Sequence, residues 1–229
     1  MRVTIHQPEH LPWLGFFDKM TDCDVYVLLD NVQFSKSAKN FQKRNRLIDL
    51  NGTVFWSTVP VCMAGHTDKQ IADMELDNTQ PWPRKKWTRI LEAYRHHPYF
   101  TALGPELESI FLSGHTLLVD LNLALIEFFR RQLEITVPMV RSSTLDVTGS
   151  RSELLLSICQ NLGADTYLSG PSGREYLDTD LFEAGGVALD YHVFKHPIYV
   201  APIFQPYLST LDLLFNHGPE SRAILGLST

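Results

Sequence analysis

Short apolar runs near the start of the chain predict two strands with a helix between them. The run Arg2–Gln7 is rich in β-branched residues, and Pro8 ends it, as is typical of a buried strand. Asp24–Asp30 has the same character, and Pro12–Met20 can form a short helix because proline suits a first helical turn. A strand, a helix and a strand within about thirty residues predict a βαβ unit with two parallel strands.

The middle of the chain has helical periodicity. Pro83–His97 carries tryptophan, isoleucine, leucine and tyrosine at helical spacing. Gly104–Leu133 is long and apolar, and we expect it to form two helices that are broken near Gly114. A further helix is predicted at Ser150–Leu162, with Ser150 or Ser152 as its N-cap.

Strand patterns flank this helical region. Thr53–Val61 is a third strand candidate, and Asp165–Ser169 and Val187–Phe194 follow later in the chain. The last helix is predicted to begin with a capping box at Ser209–Asp212 and to end at Gly218.

These elements together predict an α/β protein with a mainly parallel sheet and a helical middle segment. The 229 residues suit one domain, although a chain of this length can also form two. We expect a single domain over residues 1–229, with α/β parts at 1–65 and 150–229 and a mostly helical part at 66–149.

Composition and charge exclude some classes of partner. The formal net charge is -6 and the pI about 5.8, whereas a general nucleic-acid binder presents a basic face. The longest apolar runs fall short of the ~18 residues that a transmembrane helix requires. The first residues also lack the pattern of a signal peptide. We therefore expect a cytoplasmic protein that binds no nucleic acid and does not insert into a membrane.

The cysteines predict neither a disulfide nor a metal site. Cys23, Cys62 and Cys159 are odd in number and widely spaced, which fits a reducing compartment. Their spacing from histidines matches no zinc motif, so no metal is predicted. Cys62 lies four residues before His66, but we expect no essential thiol there.

The end of the first strand is the leading candidate for a catalytic site. In open α/β sheets, ligands bind beyond the carboxyl ends of the strands, where His6 and Gln7 stand. Asp30 ends the second strand and could orient the His6 ring, so that His6 acts as a general base. The alternative is a core histidine whose ring bonds to backbone groups.

A basic segment follows Asp30. Its cations are spaced closely enough to bind a phosphate or a carboxylate, and arginine can do so with two hydrogen bonds. The alternative is a solvated basic loop. The residues concerned are Lys36, Lys39, Lys43, Arg44 and Arg46.

A loop rich in glycine and serine follows the strand at Asp165–Ser169. Backbone N–H groups after Ser169 and Gly170 could face an anion, and Arg174 lies within the same loop. An ordinary connection between two elements is the alternative.

Several blocks of the sequence resemble the WbqC-like family. They read IHQPEHLPWLGFFDKM, LLDNVQFSKSAKNFQKRNRL and VFWSTVPV near the start, and LGADTYLSGPSGREYLD and FQPYLSTLDLLFNHG near the end. The resemblance extends from residue 3 to residue 218. It departs from the family pattern at Asn31, where a second acid is expected, and this weakens any scheme that needs paired carboxylates for a metal.

The resemblance implies a place in bacterial O-antigen synthesis and a role as a glycine or other aminoacyl transferase. The acceptor would be an amino sugar, a sugar nucleotide or a lipid-linked sugar, and the donor an aminoacyl carrier or an amino acid with ATP. No cofactor is specified. His6 and Asp30 are the catalytic candidates, and the substrate-binding candidates are Gln7, Trp13, Gln33, Lys36, Arg44, Asn45, Arg46, Ser169, Gly170, Arg174 and Gln205.

Two other functions stay open. The block LLDNVQF and the late Ser/Gly/Arg loop are also similar to nucleotidyl transferases of the pantothenate synthetase type, which would imply ATP-dependent amide ligation. However, the His-x-Gly-His motif of those enzymes is replaced here by His6-Gln7-Pro8-Glu9-His10. The third function is a non-catalytic protein that binds a sugar nucleotide.

Overall fold

A computed structural model describes residues 1–35, 40–65 and 68–227. The chain folds into two compact units, each assembled from separated segments. The first comprises residues 1–7, 18–31 and 136–195, and the second comprises 8–17, 32–135 and 196–229.

The strands are β1 Arg2–His6, β2 Val25–Leu28, β3 Arg44–Ile48, β4 Val54–Thr58, β5 Met139–Arg141, β6 Thr166–Ser169 and β7 Ala188–Tyr191. The helices are α1 Leu14–Thr21, α2 Trp82–Tyr94, α3 Phe100–Leu112, α4 Leu118–Gln132, α5 Ser152–Asn161, α6 Thr179–Ala184, α7 Thr210–His217 and α8 Ser221–Leu225.

The first unit is built on a five-stranded parallel sheet in the order β5-β2-β1-β6-β7. The predicted α/β class is therefore confirmed, as is the parallel pairing of the first two strands, in which Ile5 faces Val27. Val3, Ile5 and Val27 are buried, which explains their β-branched character, because strands covered on both faces favour such residues. Phe182 of α6 stacks on Tyr167 of β6 with ring centroids 5.5 Å apart and closes one side of this core.

The second unit combines helices with a separate antiparallel pair, β3 and β4. The predicted strand Thr53–Val61 forms β4, over Val54–Thr58, whereas β3 was not predicted because its sequence, RNRLI, is largely polar. Tyr94 of α2 and Phe100 of α3 both pack on Phe215 of α7, at centroid distances of 5.3 and 5.1 Å.

The helical segments lie close to where the pattern placed them. The long apolar stretch forms α3 and α4, and Gly114 lies between them with φ +77°, a conformation that suits glycine. The predicted cap of α5 is wrong, because Arg151 occupies the N-cap without a side-chain hydrogen bond, and Ser152 Oγ instead accepts from Asp178 N–H at 3.1 Å.

The start of α7 is confirmed in part. Ser209 is its N-cap and accepts from the Leu211 N–H. Asp212 does not complete the capping box, because its Oδ2 accepts a hydrogen bond from the Tyr199 hydroxyl at 2.8 Å. Among the described helices, none combines the length and apolar character needed to cross a membrane.

Candidate functional site

The strand order of the parallel sheet identifies a candidate ligand-binding edge. From β1 the chain adds β2 and β5 on one side, then returns to add β6 and β7 on the other. The order therefore reverses between β1 and β6, and open α/β sheets bind ligands at such a point, beyond the carboxyl ends of the strands. His6 ends β1 and Ser169 ends β6, so two sequence-predicted site residues flank this point.

The His6 ring lies against a buried lysine. Lys19 of α1 is 3% exposed, and its Nζ lies 2.9 Å from His6 Nδ1 and 3.4 Å from the Ile5 carbonyl oxygen. A protonated lysine has only donors, so Nδ1 accepts and the neutral ring carries its proton on Nε2. In that tautomer His6 Nε2 is a hydrogen-bond donor, and the general base role of His6 stays a prediction.

A second histidine reaches the same edge from β7. His192 follows that strand directly, and its N–H donates to the Ser169 carbonyl oxygen at 2.9 Å. Its Nε2 lies 2.6 Å from Oδ2 of Asp18, and the side chains of His192 and Asp18 are 8% and 27% exposed. The carboxylate orients the ring, so that Nδ1 of neutral His192 is the proton acceptor.

Both pairs involve α1, because Asp18 and Lys19 are consecutive residues of that helix. Neighbouring strands lie about 4.8 Å apart, so His6 and His192, at the ends of β1 and β7, are separated by roughly 10 Å. Asp18, Lys19 and His192 were not among the residues predicted for the site. One signal was present: His192 lies near the end of the predicted strand Val187–Phe194, much as His6 lies near the end of the predicted strand Arg2–Gln7.

The hydrogen-bond partners of Asp30 are residues other than His6. It is fully buried, and its carboxylate accepts hydrogen bonds from Arg141 Nε at 2.5 Å, from Ser143 N–H and Oγ at 2.9 Å each, and from Ser142 Oγ at 3.1 Å. Asn31 Oδ1 lies 2.7 Å from Ser142 Oγ and shares the single hydroxyl proton of Ser142 with Asp30. These contacts join the ends of β2 and β5, whereas the charged group beside His6 is Lys19.

The loop after β6 is folded tightly. Residues Pro171–Glu175 form a 3-10 helix, and the Gly173 N–H donates to the Gly170 carbonyl oxygen at 3.0 Å. A Cβ on Gly173 would stand 2.1 Å from Ser169 Oγ, so this close approach requires glycine. Arg174 is exposed, and its guanidinium lies 4.0 Å from the ring centroid of Tyr191.

A cavity of about 410 Å³ lies along β7. Phe182 and Glu183 of α6 line it, together with Tyr191. Because Arg174 stacks on Tyr191, the loop after β6 places a cation near this opening.

In the second unit, the hairpin of β3 and β4 carries arginine beside exposed aromatic rings. Arg44 lies 4.2 Å over the ring of Trp56, which is 44% exposed. Arg46 Nη2 donates to the Tyr207 carbonyl oxygen at 2.7 Å, and the Tyr207 ring centroid lies 6.0 Å from that of Trp13. Three predicted substrate-binding residues thus share one surface, and Trp56 and Tyr207 were not predicted.

The remaining predicted residues have varied surroundings. Asn45 is fully buried, and its Nδ2 donates to the Leu11 carbonyl oxygen at 2.9 Å, so it positions backbone. Gln33 is exposed, while Gln7 and Gln205 are half-buried. Among the predicted residues, Lys36, Lys39 and His66 lie outside the described residues.

The cysteines are free thiols. Burial raises the pKa of both the Cys23 and the Cys159 thiols to about 12, which makes them weak nucleophiles. In the part of the chain that the structure describes, no three His, Cys, Asp or Glu side chains converge as a metal site would require.

A model of the WbqC-like protein family matches residues 7–224. The chain belongs to this family. A relative, the uncharacterized protein Rv1507c of Mycobacterium tuberculosis (strain ATCC 25618 / H37Rv), is 30% identical over 224 residues, which cover 96% of this chain and 95% of the relative. No solved structure matches the chain. Asp18, Lys19 and His192 fall within the WbqC-like match, and His6 immediately precedes it.

Proposed function

We propose that the chain is an acyl or aminoacyl transferase that modifies an amine or hydroxyl group of a sugar or sugar nucleotide. Glycine is the first candidate for the transferred group, and bacterial surface-polysaccharide synthesis is the proposed setting. The observation that supports this most directly is the His192–Asp18 pair, with its 2.6 Å contact at the ligand-binding edge of the parallel sheet. A carboxylate-oriented histidine at such an edge is suited to general base catalysis.

The proposed step is a direct attack by the acceptor on the acyl carbonyl carbon. His192 Nδ1 takes the proton of the attacking amine or hydroxyl while the new C–N or C–O bond forms. The bond between the carbonyl carbon and the leaving group then breaks, and the leaving group departs with the bonding electrons and takes the proton from His192. His6 donates from Nε2 to the carbonyl oxygen as negative charge develops on it, and Lys19 fixes that tautomer by its 2.9 Å contact with Nδ1.

Substrate binding at the sheet edge is assigned to polar and cationic groups of the first unit. Ser169, Gly170, Gln7 and the exposed Arg174 adjoin the strand ends of the first unit, where Arg174 can pair with a phosphate. The second unit carries a separate proposed binding surface for a sugar or a phosphate. Its candidates are Trp13, Gln33, Lys36, Arg44, Arg46 and Gln205, with Asn45 as a positioning residue. Asp30 is retained as a support for the strand ends.

ATP-dependent ligation is the second candidate function. Counted in chain order, the five parallel strands lie in the order 3-2-1-4-5, which is the order of sheets that bind nucleotides at their switch point. This support rests on fold-level analogy, because one architecture hosts many activities.

A product assay separates these functions. The protein is incubated with UDP-glucosamine and either a glycyl thioester without ATP or glycine with MgATP, and products are followed by mass spectrometry. Gain of one glycyl group from the thioester supports the transferase. Gain only with ATP supports the ligase, and calorimetric binding of UDP-glucosamine without product supports a binding protein.

Variants test the assigned roles. We expect His192→Gln and Asp18→Asn to lower kcat by roughly 10²–10⁴-fold with little change in KM, because the general base acts mainly in the transition state. The control is His96→Gln, since His96 is exposed beyond the end of α2. Unchanged kcat in both site variants would remove His192 from the mechanism.

A further inference from the structure

The second unit buries a histidine and a lysine that each have an unpaired nitrogen. His10 is 0% exposed and Lys86 is 7% exposed. Neither His10 Nε2 nor Lys86 Nζ has a hydrogen-bond partner within residues 1–35, 40–65 and 68–227. Buried polar groups are nearly always paired, so two such atoms in one region point to a place where a polar ligand group can bind.

The His10 ring is held firmly, so Nε2 has a defined direction. The backbone N–H of His10 donates to the Phe41 carbonyl oxygen at 2.8 Å, and Nδ1 lies 3.0 Å from Asn122 Oδ1. The Asn122 amide is itself fixed, because its Nδ2 donates to the Gln42 carbonyl oxygen at 2.7 Å. Nδ1 therefore carries the proton of the neutral ring, and Nε2 is left as an acceptor.

Lys86 and His10 both lie near the ring of Phe111. Its Nζ lies 5.8 Å from the ring centroid of Phe111, and that centroid lies 6.2 Å from the His10 ring. Burial lowers the pKa of both groups well below their usual values, and the proximity of Lys86 lowers that of His10 further. With no ligand bound, burial therefore disfavours the charged form of both groups.

We propose that His10 and Lys86 form a binding site for one carboxyl group of a small organic acid. The group enters as a carboxylate together with one proton, which is shared between one carboxylate oxygen and His10 Nε2. Lys86 donates an N–H to the other oxygen. Both buried nitrogens then gain a partner, and the buried set has no net charge, which is the arrangement that an apolar environment favours. This site is independent of the sheet edge to which the transferase function is assigned.

Calorimetry with formate and with acetate tests the proposal. Titrations at pH 7 and constant ionic strength, in two buffers of different ionisation enthalpy, measure both the affinity and the number of protons taken up. The expected result is one site with uptake of about one proton. Absence of binding by both acids would overturn the proposal. Equal binding of methanol, without proton uptake, would also overturn it, since the site would then recognise a hydroxyl group.

Two neighbouring lysines on α2 provide a matched pair of variants. Lys86→Met keeps the apolar stem and removes the amine, so we expect formate affinity to fall at least tenfold. Lys85→Met removes an exposed amine one residue earlier and is expected to bind as the wild type does. Equal affinity of the Lys86→Met protein would contradict the assignment.

Histidine NMR on the unmodified protein keeps the proposal testable if the Lys86 variant does not fold. Formate should shift the ¹⁵N signal of His10 Nε2 toward that of a protonated nitrogen. An unchanged His10 signal at saturating formate would show that the acid binds elsewhere.

Discussion

At the scale of single residues, Asp212 shows how burial changes a carboxyl group. It is 1% exposed, and burial raises its pKa from 3.8 to about 6, although hydrogen bonds from Tyr199 and Tyr94 oppose the rise. A carboxyl group whose folded pKa is raised binds its proton more tightly in the folded state. Its contribution to stability is therefore fully present below pH 3.8 and is lost as the pH rises through about 6.

We expect the unfolding free energy to fall by roughly 3 kcal/mol at most between pH 4 and pH 7 on account of Asp212. Urea unfolding of the wild type and of Asp212→Asn measures this term. The variant keeps an oxygen that can accept from the Tyr199 hydroxyl, and its stability should depend less on pH. Parallel pH profiles for the two proteins would show that Asp212 does not titrate in this range.

Gly173 is the residue on which the loop after β6 depends most. We expect Gly173→Ala to lower stability by about 1–3 kcal/mol, because the added Cβ would stand 2.1 Å from Ser169 Oγ. Gly170→Ala is the control within the same loop: its φ is -67°, and nothing lies within 4 Å of its added Cβ, so the change should stay within about 0.5 kcal/mol. Equal effects in thermal unfolding would contradict this account of the loop.

At the scale of elements, two helix ends share one unusual backbone conformation. Arg151, before α5, has φ 50° and ψ -126°, and Gly218, after α7, has φ 49° and ψ -122°. Only glycine adopts this region without strain.

Arg151→Gly should therefore raise stability by about 1 kcal/mol. Gly218→Ala should lower it, because the alanine is strained and its Cβ would meet the Tyr99 ring at 2.3 Å. The urea concentrations at which Arg151→Gly and Gly218→Ala are half unfolded, compared with that of the wild type, measure both changes. A loss of stability in Arg151→Gly would mean that the arginine side chain contributes more than its backbone costs.

Elements with a strong local pattern could be predicted from the sequence. β1 and β2 are apolar and β-branched, and α2 to α4 have clear helical periodicity. β3 and β5 could not be predicted, because RNRLI is polar and MVR is only three residues long. Both become strands through pairing with β4 and β2, which is tertiary context that overrides local preference.

The residues of the candidate site also differ in whether the sequence could predict them. His6 could be identified as a candidate site residue because it lies at the end of a predictable strand, before Pro8. The His192–Asp18 contact joins residues 174 positions apart, and no local pattern carries that information. The neighbours of His6 and Asp30 could not be predicted for a similar reason, since Lys19 and Arg141 are brought close only by the fold.

At the scale of the whole molecule, the chain enters the first unit three times, and the last segment supplies three of the five strands of its sheet. The candidate site in that unit combines residues from all three segments: His6, Asp18 with Lys19, and His192. Its assembly therefore requires the complete parallel sheet, which links the proposed chemistry to the fold of the unit.

The central claim is that the sheet edge holding His6 and His192 binds the sugar nucleotide. Imidazole ¹⁵N NMR of histidine-labelled protein, assigned with single His→Gln variants and titrated with UDP-N-acetylglucosamine, tests it most directly. We predict saturable shifts of the His6 and His192 signals, while the signal of the exposed His96 stays in place. Binding of the nucleotide that leaves both His6 and His192 unshifted would contradict the account.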